Sequence, residues 1–256
     1  MAHIDTAAGP PVRRITLEQP WSWLAAGWRD TWRAPHVSLV YGGAFTVISL
    51  ALTAGLYATG FEYLLPPLAA GFMFLGPLLA VGLYETSRRL QAGEPVSLRH
   101  ALFVTTRAPA QLAFVGILLA LFMLAWMRIA SLLFALFVGT QSFPPLAEIL
   151  PWLFFTRDGL GLLIVGGVIG AALATIAFAV SVVSVPMLMV RDVDAVTAMI
   201  LSVRTARRNA LVLALWAWLV AILTGVGLVT LFIGLTLTFP LVGHASWHAY
   251  RDLSAA

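Results

Sequence analysis

The chain has 256 residues, 61% of them hydrophobic and 10% charged, with mean hydropathy +0.94 and a formal net charge of +4. A soluble domain carries roughly a quarter charged residues. There is too little polar surface here to clothe a water-soluble globule, so lipid is the expected solvent for most of the chain. Cysteine is absent, which excludes disulfides, thiolate chemistry, cysteine-ligated zinc and cysteine-held iron–sulfur clusters. All fifteen basic residues are arginine, which we read as coding bias rather than mechanism.

Residues 1–15 are small and polar, carry Gly9-Pro10-Pro11 and read as a flexible tail. They and the next twenty residues lack the short apolar core and small-residue cleavage site of a signal peptide. Residues 16–256 read as a single membrane domain, all-α. It opens with an interfacial helix over 16–36, where Trp21, Leu24, Trp28 and Trp32 recur at helical spacing and Arg29, Asp30 and Arg33 take another face. A tryptophan-rich amphipathic helix with arginines belongs in the plane of the membrane surface.

The first span is expected over 37–58 and the second over 64–84, with Pro66, Pro67 and Pro77 along it. A polar, basic stretch to Arg107 follows, broken at Gly93-Glu94-Pro95. The third span covers 109–127. Residues 129–155, interrupted by Gly139, Pro144, Pro145 and Pro151, read as an outer interfacial or re-entrant segment. The fourth span covers 159–188. Residues 210–250 contain no Asp, Glu, Lys or Arg, too long for one span, so we divide them into spans at 208–227 and 229–250 with a turn near 224–228.

The charges orient these six spans. Thirteen of the fifteen arginines fall in alternate gaps: Arg13, Arg14, Arg29 and Arg33; Arg88, Arg89, Arg99 and Arg107; Arg191, Arg204, Arg207 and Arg208; and Arg251. Cationic loops stay in the cytoplasm, so both termini are expected there. The net positive charge is then a matter of topology, a diffuse basic face beside anionic headgroups, and needs no nucleic acid.

The spans also repeat. Leu24 matches Leu98, Thr31 matches Thr105, and Arg33-Ala34-Pro35 matches Arg107-Ala108-Pro109, all at an offset of 74; Thr205 and Arg207 follow at a further offset of 100. Each even span carries a proline followed by aliphatics, at Pro77, Pro186 and Pro240. We read three units, each an amphipathic cytoplasmic helix, an outward span and a proline-bearing return span. Trp21, Trp28, Trp32, Arg33, Arg107 and Arg207 are the expected membrane-interface anchors. The prolines are expected to kink their helices and free a carbonyl that a neighbouring Ser or Thr satisfies. In span four, Gly166, Gly170 and Ala174 form a small-xxx-small stripe. It suits either a dimer interface or packing inside the bundle, and we favour the latter.

Chemistry is sparse. No acidic residue sits at mid-span, which counts against ion-coupled transport. Arg128 is expected to snorkel to the outer headgroups. His244 and His248 are spaced i, i+4 and Asp252 continues the face. Such a set can ligate a transition metal or haem, with His36 and His100 as candidate completing ligands, or can simply belong to an aromatic belt with Trp247 and Tyr250. No nucleophile elbow, phosphate-binding glycine loop or H-E-x-x-H is present.

Gly76-Pro77-Leu78-Leu79-Ala80-Val81-Gly82-Leu83-Tyr84-Glu85, with Ser87-Arg88-Arg89-Leu90 and Gly93, and the stretch from Phe239 to Arg251 together resemble a bacterial integral-membrane family catalogued as a domain of unknown function, number 2189. The resemblance would cover most of residues 20–253. It implies a polytopic inner-membrane protein and supplies no agreed activity or catalytic residues. Some members carry a label likening them to a cytochrome c oxidase subunit. A catalytic oxidase subunit needs about six buried histidines; this chain has five, one of them His3 in the tail. The expectation is therefore a protein that is not an enzyme and has no cofactor: an accessory, structural or assembly partner of a larger membrane complex, a respiratory complex being one candidate, embedded in lipid beside another integral membrane protein. A small transporter or channel for a neutral or small solute is the alternative, and a haem or metal site at His244 and His248 the third reading.

Overall fold

The computed structural model describes residues 15–139 and 146–254. The tail, with Arg13 and Arg14, and the Pro144-Pro145 break lie outside them. The described residues are helical throughout, without a strand. An amphipathic helix α1 (Gln19–Arg33) leads into α2 (Pro35–Thr59), and a 3-10 turn (Glu62–Leu64) starts the return through α3 (Leu65–Leu79) and α4 (Val81–Ala92). The short α5 (Leu98–Leu102) precedes α6 (Pro109–Val138), α7 (Leu146–Phe155) and α8 (Arg157–Val190). The amphipathic α9 (Ala195–Arg208) precedes α10 (Ala210–Val229) and α11 (Leu235–Ser254).

Five helical stretches are long and apolar enough to cross a membrane: Pro35–Thr59, Glu62–Ala92, Pro109–Val138, Arg157–Val190 and Ala210–Val229. The helix α11 is as long as α10 but is not one of them. Its second half carries His244, Trp247, His248, Tyr250, Arg251 and Asp252. It packs against α1, α2, α4, α8 and α10, so protein rather than lipid surrounds its polar face.

Local chemistry sets the helix starts. Pro35 and Pro109 sit at the first helical position, where the missing N–H costs nothing. Thr156 and Asp194 cap α8 and α9 by accepting the N–H of Gly159 (3.0 Å) and Thr197 (2.8 Å). The residues between amphipathic helix and span share one backbone shape: Ala34 (φ −130°, ψ 57°), Ala108 (φ −129°, ψ 68°) and Asn209 (φ −118°, ψ 34°). Arg33, Arg107 and Arg207 are all exposed just before these junctions. The amphipathic helices rest mainly on helices outside their own hairpins. The α1 helix lies on α11, α5 on α4 and α9 on α8.

Several boundaries differ from expectation. The third long helix runs to Val138, because 129–138 is unbroken apolar sequence up to Gly139 (φ 65°). Within the described part of this stretch, residues 129–138 continue α6 and Leu146–Phe155 forms α7. The turn expected at 224–228 lies at 230–234. Gly227 stays helical because it serves close packing: a Cβ there would come within 2.5 Å of Leu235 Cδ2 and 2.6 Å of Thr238 Oγ1. Leu231 (φ 53°) and Phe232 (φ 65°) turn the chain instead. The Phe232 carbonyl is held by the Thr46 hydroxyl at 2.9 Å.

The second span is interrupted at Ala80, three residues after Pro77, and the Tyr41 hydroxyl donates to the Leu79 carbonyl there (2.7 Å). The α8 helix runs without interruption past Pro186 to Val190. One turn before the proline, Ser202 of α9 accepts the Val183 N–H (3.1 Å) and donates to the Ala179 carbonyl (2.7 Å). Those two groups are i→i−4 partners in a regular ladder. A serine from a neighbouring helix thus bonds to both groups of one turn. Gly170 backs onto Trp126 and Gly166 onto Leu133, both on α6, so this face of the stripe is used inside the bundle. Arg128 is exposed.

The α1 helix lies backbone to backbone against α11. A Cβ on Gly27 would stand 2.7 Å from the Ala245 nitrogen and 2.8 Å from the Leu241 carbonyl oxygen. Backbone cannot yield as a flexible side chain can. Gly27→Ala is therefore expected to destabilise the protein by about 1–3 kcal/mol, the usual penalty of overpacking. Gly43→Ala, where nothing lies within 4 Å, should be neutral or slightly stabilising. Thermal unfolding in mild detergent checks the pair; equal midpoints would mean that the α1–α11 contact is loose.

Candidate functional site: a buried acid–serine–histidine network

Asp30 is the one acid of α1, and helical spacing puts it on the stripe of Trp23, Gly27, Thr31 and Ala34, all buried. This face meets α11 and α4. Asp30 is 3% exposed. Its Oδ2 accepts from the Ser87 hydroxyl and from His248 Nε2, both at 2.8 Å. Arg33 adds a loose contact at 3.9 Å.

Hydrogen counting fixes the rest. The single hydroxyl hydrogen of Ser87 goes to the carboxylate, which can only accept. The Ser87 oxygen therefore receives the Nδ1–H of His244, 2.8 Å away. That leaves His244 Nε2 as an acceptor, 3.0 Å from the Ser38 hydroxyl, whose single hydrogen is shared between this nitrogen and the Ala34 carbonyl, also 3.0 Å away. The chain Asp30–Ser87–His244–Ser38 thus joins α1, α4, α11 and α2, and Ser38, Ser87 and His244 are all fully buried. On the other side, His248 Nδ1 accepts from Gln91 (3.1 Å), whose carbonyl oxygen accepts from Trp247 Nε1 (3.0 Å). Asp252, one turn on, accepts from Trp23 Nε1 at 2.8 Å.

Burial alone would raise the Asp30 carboxyl. The hydrogen bonds from His248 and Ser87 outweigh it and hold the group below its ordinary value. A second cluster lies at the same end. Glu85 is gripped by Arg88 Nε (2.7 Å) and Arg89 Nε (2.6 Å), and Arg88 also reaches Glu94 (2.7 Å).

The network has a wet edge. His248 and Gln91 line an open cleft of about 1000 Å³ between α1, α4, α8 and α11, into which Arg29, Arg88, Arg191 and Arg251 also face. Arginines far apart in sequence, all assigned to one side of the membrane by their spacing, thus share one cleft.

Residues 64–190 match the family model described as "Predicted integral membrane protein (DUF2189)". This stretch resembles the DUF2189 family and is called the DUF2189 segment below. No curated protein and no solved structure matches the chain. The match is narrower than the resemblance drawn from sequence over 20–253. The DUF2189 segment supplies Ser87, Gln91 and Arg88, whereas Ser38, Asp30, His244 and His248 come from outside it. The network is closed by the flanking helices folding onto the DUF2189 segment.

The structure brings His244, His248 and Asp252 onto one face of α11, as the spacing required. That face meets α1, with hydrogen-bond partners at every ring nitrogen. His36 is exposed and His100 bonds to Ser97 (3.0 Å), so neither joins the two histidines. Among the described residues no group of three or more His, Cys, Asp or Glu is placed to hold a metal ion. Trp21, Trp28 and Trp32 are exposed on the outer face of α1. Sequence reasoning grouped Asp30 with Arg29 and Arg33 and passed over Ser87, Ser38 and Gln91. The available signal was the small-residue stripe Gly27–Ala34 on which Asp30 falls; the serines had none.

Ser87→Ala removes the bridge and leaves Asp30 one donor short and His244 Nδ1–H without an acceptor, a loss of about 1–3 kcal/mol; thermal or denaturant unfolding in detergent measures it. Asp30 also predicts an acid limb. Because its folded value is depressed, its stabilising contribution is complete above the unfolded value near pH 4 and is lost as the pH falls through the folded one. Midpoints recorded from pH 7 to pH 3 should drop at the acid end, and Asp30→Asn should flatten that limb while lowering the plateau. An unchanged limb in the variant would assign it to other carboxylates.

Proposed function

We propose that the protein is a non-catalytic integral membrane protein of the bacterial inner membrane, an accessory or assembly partner of a larger membrane complex. One observation carries this reading: the polar side chains that could do chemistry are spent on holding helices together. Ser38, Ser87 and His244 are shut away from any substrate, and the serine stands between acid and histidine rather than at the end of the relay, unlike a nucleophilic triad. A path for a neutral solute, the other role that repeated two-span units suit, meets the packed rings of Phe45, Phe72 and Phe239 (centroids 4.3–5.9 Å apart) between α2, α3 and α11.

In this reading α11 is a sixth span, the arginine-rich end is cytoplasmic, and the chain is three hairpin units closed in a ring. The ring is supported by the packing of α1 on α11, α5 on α4 and α9 on α8: each amphipathic helix rests on the return helix of the preceding unit.

Extraction of the tagged protein in mild detergent followed by native electrophoresis and mass spectrometry tests the partnership. A second integral membrane protein should co-migrate in stoichiometric amount; recovery solely as a monomer or homo-oligomer would count against it. Topology is checked separately, because the chain has no cysteine. In intact spheroplasts an impermeant maleimide should label Thr59→Cys and leave Thr105→Cys unlabelled; the reverse pattern would invert the orientation.

A further inference from the structure

The cleft between α1, α4, α8 and α11 has a charge pattern that the network beneath it does not need. Arg88 is consumed by Glu85 and Glu94. Among the described residues no carboxylate forms an ion pair with Arg29, Arg191 or Arg251. Asp252, the one acid among the residues lining the cleft, is bound to Trp23. Arg191 rests against the Tyr250 hydroxyl. Three exposed guanidiniums, from α1, the end of α8 and α11, thus converge with Gln91 and His248 on one open volume.

We propose that this cleft is a phosphate-binding site at the membrane surface, with Arg29, Arg191 and Arg251 as its ligands. Guanidinium forks pair bidentately with carboxylate or phosphate. A carboxylate offers two oxygens and is satisfied by one arginine; three arginines from separate segments lining one cleft supply more donors than that, and a phosphate has the oxygens to accept them. The volume of about 1000 Å³ is in the range of small-ligand pockets and admits a glycerophosphate group.

The position of α1 sets the level of the site. Trp21, Trp28 and Trp32 are 56%, 46% and 49% exposed and make up its lipid-facing side. Arg29 follows Trp28 directly, about 100° further round the helix, at the edge of that side. An interfacial helix so oriented holds its flanking arginine at headgroup depth. The phosphate can therefore come from an anionic phospholipid headgroup or from a soluble phosphate ester; the recognising chemistry is the same.

The test uses the full chain purified in a neutral detergent and follows its thermal midpoint. Phosphatidylglycerol is added at rising mole fraction, with phosphatidylcholine as the zwitterionic comparison and inorganic phosphate or glycerol 3-phosphate as the soluble arm. The site requires a saturating upward shift with phosphatidylglycerol or with the soluble phosphates, and a smaller one with phosphatidylcholine. Replacing three arginines near an anionic headgroup should raise the half-saturating amount on the order of a hundredfold in R29Q/R191Q/R251Q. The comparison variant R99Q/R204Q/R208Q removes equal charge from exposed positions outside the cleft and should keep the parent response. All six side chains are exposed, so midpoints without ligand should agree, and a cleft variant already unfolded is replaced by the three single variants. A shift from the soluble phosphates that competes with the lipid identifies a soluble ester as the source; a shift from the lipid alone identifies a headgroup. Equal weakening in both triple variants, or no difference between the two lipids together with no response to phosphate, overturns the proposal.

Discussion

A carboxylate buried where three helices meet is the constraint from which this architecture follows. Removing an ionised carboxyl from water costs several kcal/mol unless donors replace the lost hydration. Asp30 has those donors only when Ser87 of α4 and His248 of α11 are both in place. The α1 helix therefore has one docking position, and the glycine at position 27 lets it come close enough to reach it. Once His248 is engaged, His244 one turn earlier is drawn between Ser87 and Ser38, which ties α2 into the same chain.

Two solvents divide the helices. Those with an apolar circumference meet lipid, and five are apolar along enough of their length to cross. The polar half of α11 would be costly against hydrocarbon, but α1, α2, α4, α8 and α10 enclose it, and its histidines, Trp247 and Asp252 find partners there. Helix–helix association in lipid gains little from hydrophobicity and relies on close packing and interhelical hydrogen bonds. The aromatic packing of Trp23 against Trp216 (5.5 Å) and Phe45 against Phe239 (4.3 Å) fills the space around that polar seam.

Proline-bearing helices here are stabilised from the side. Pro77 and Pro186 are followed or preceded by a turn whose backbone bonds to a side chain of another helix, Tyr41 in the first case and Ser202 in the second. In a medium without water such groups need a protein partner. Each such turn is thereby also an interhelical contact, which couples local structure to the order in which helices pack. Small residues work alongside: Gly42 lies against the Thr236 carbonyl and Pro240, and Gly82 against the Ala101 carbonyl.

The sequence by itself determined the apolar character, the all-helical class, the amphipathic first helix with its exposed tryptophans, and most helix starts, because these depend on composition, on periodicity and on Pro, Thr or Asp at fixed local positions. The i, i+4 spacing of His244 and His248 correctly placed them on one face. Only the tertiary structure decided what that face meets. Asp30 lies far from the histidines in sequence, and Ser87 and Gln91 far from both; residues so separated are joined by helix docking, which leaves no local periodic trace. The same holds for helix ends. Gly139 stops α6 where it takes a positive φ, whereas Gly225 and Gly227 stay within α10. A glycine permits a turn and a close approach equally well, and at Gly227 the contact with Leu235 and Thr238 of α11 shows that it serves the second.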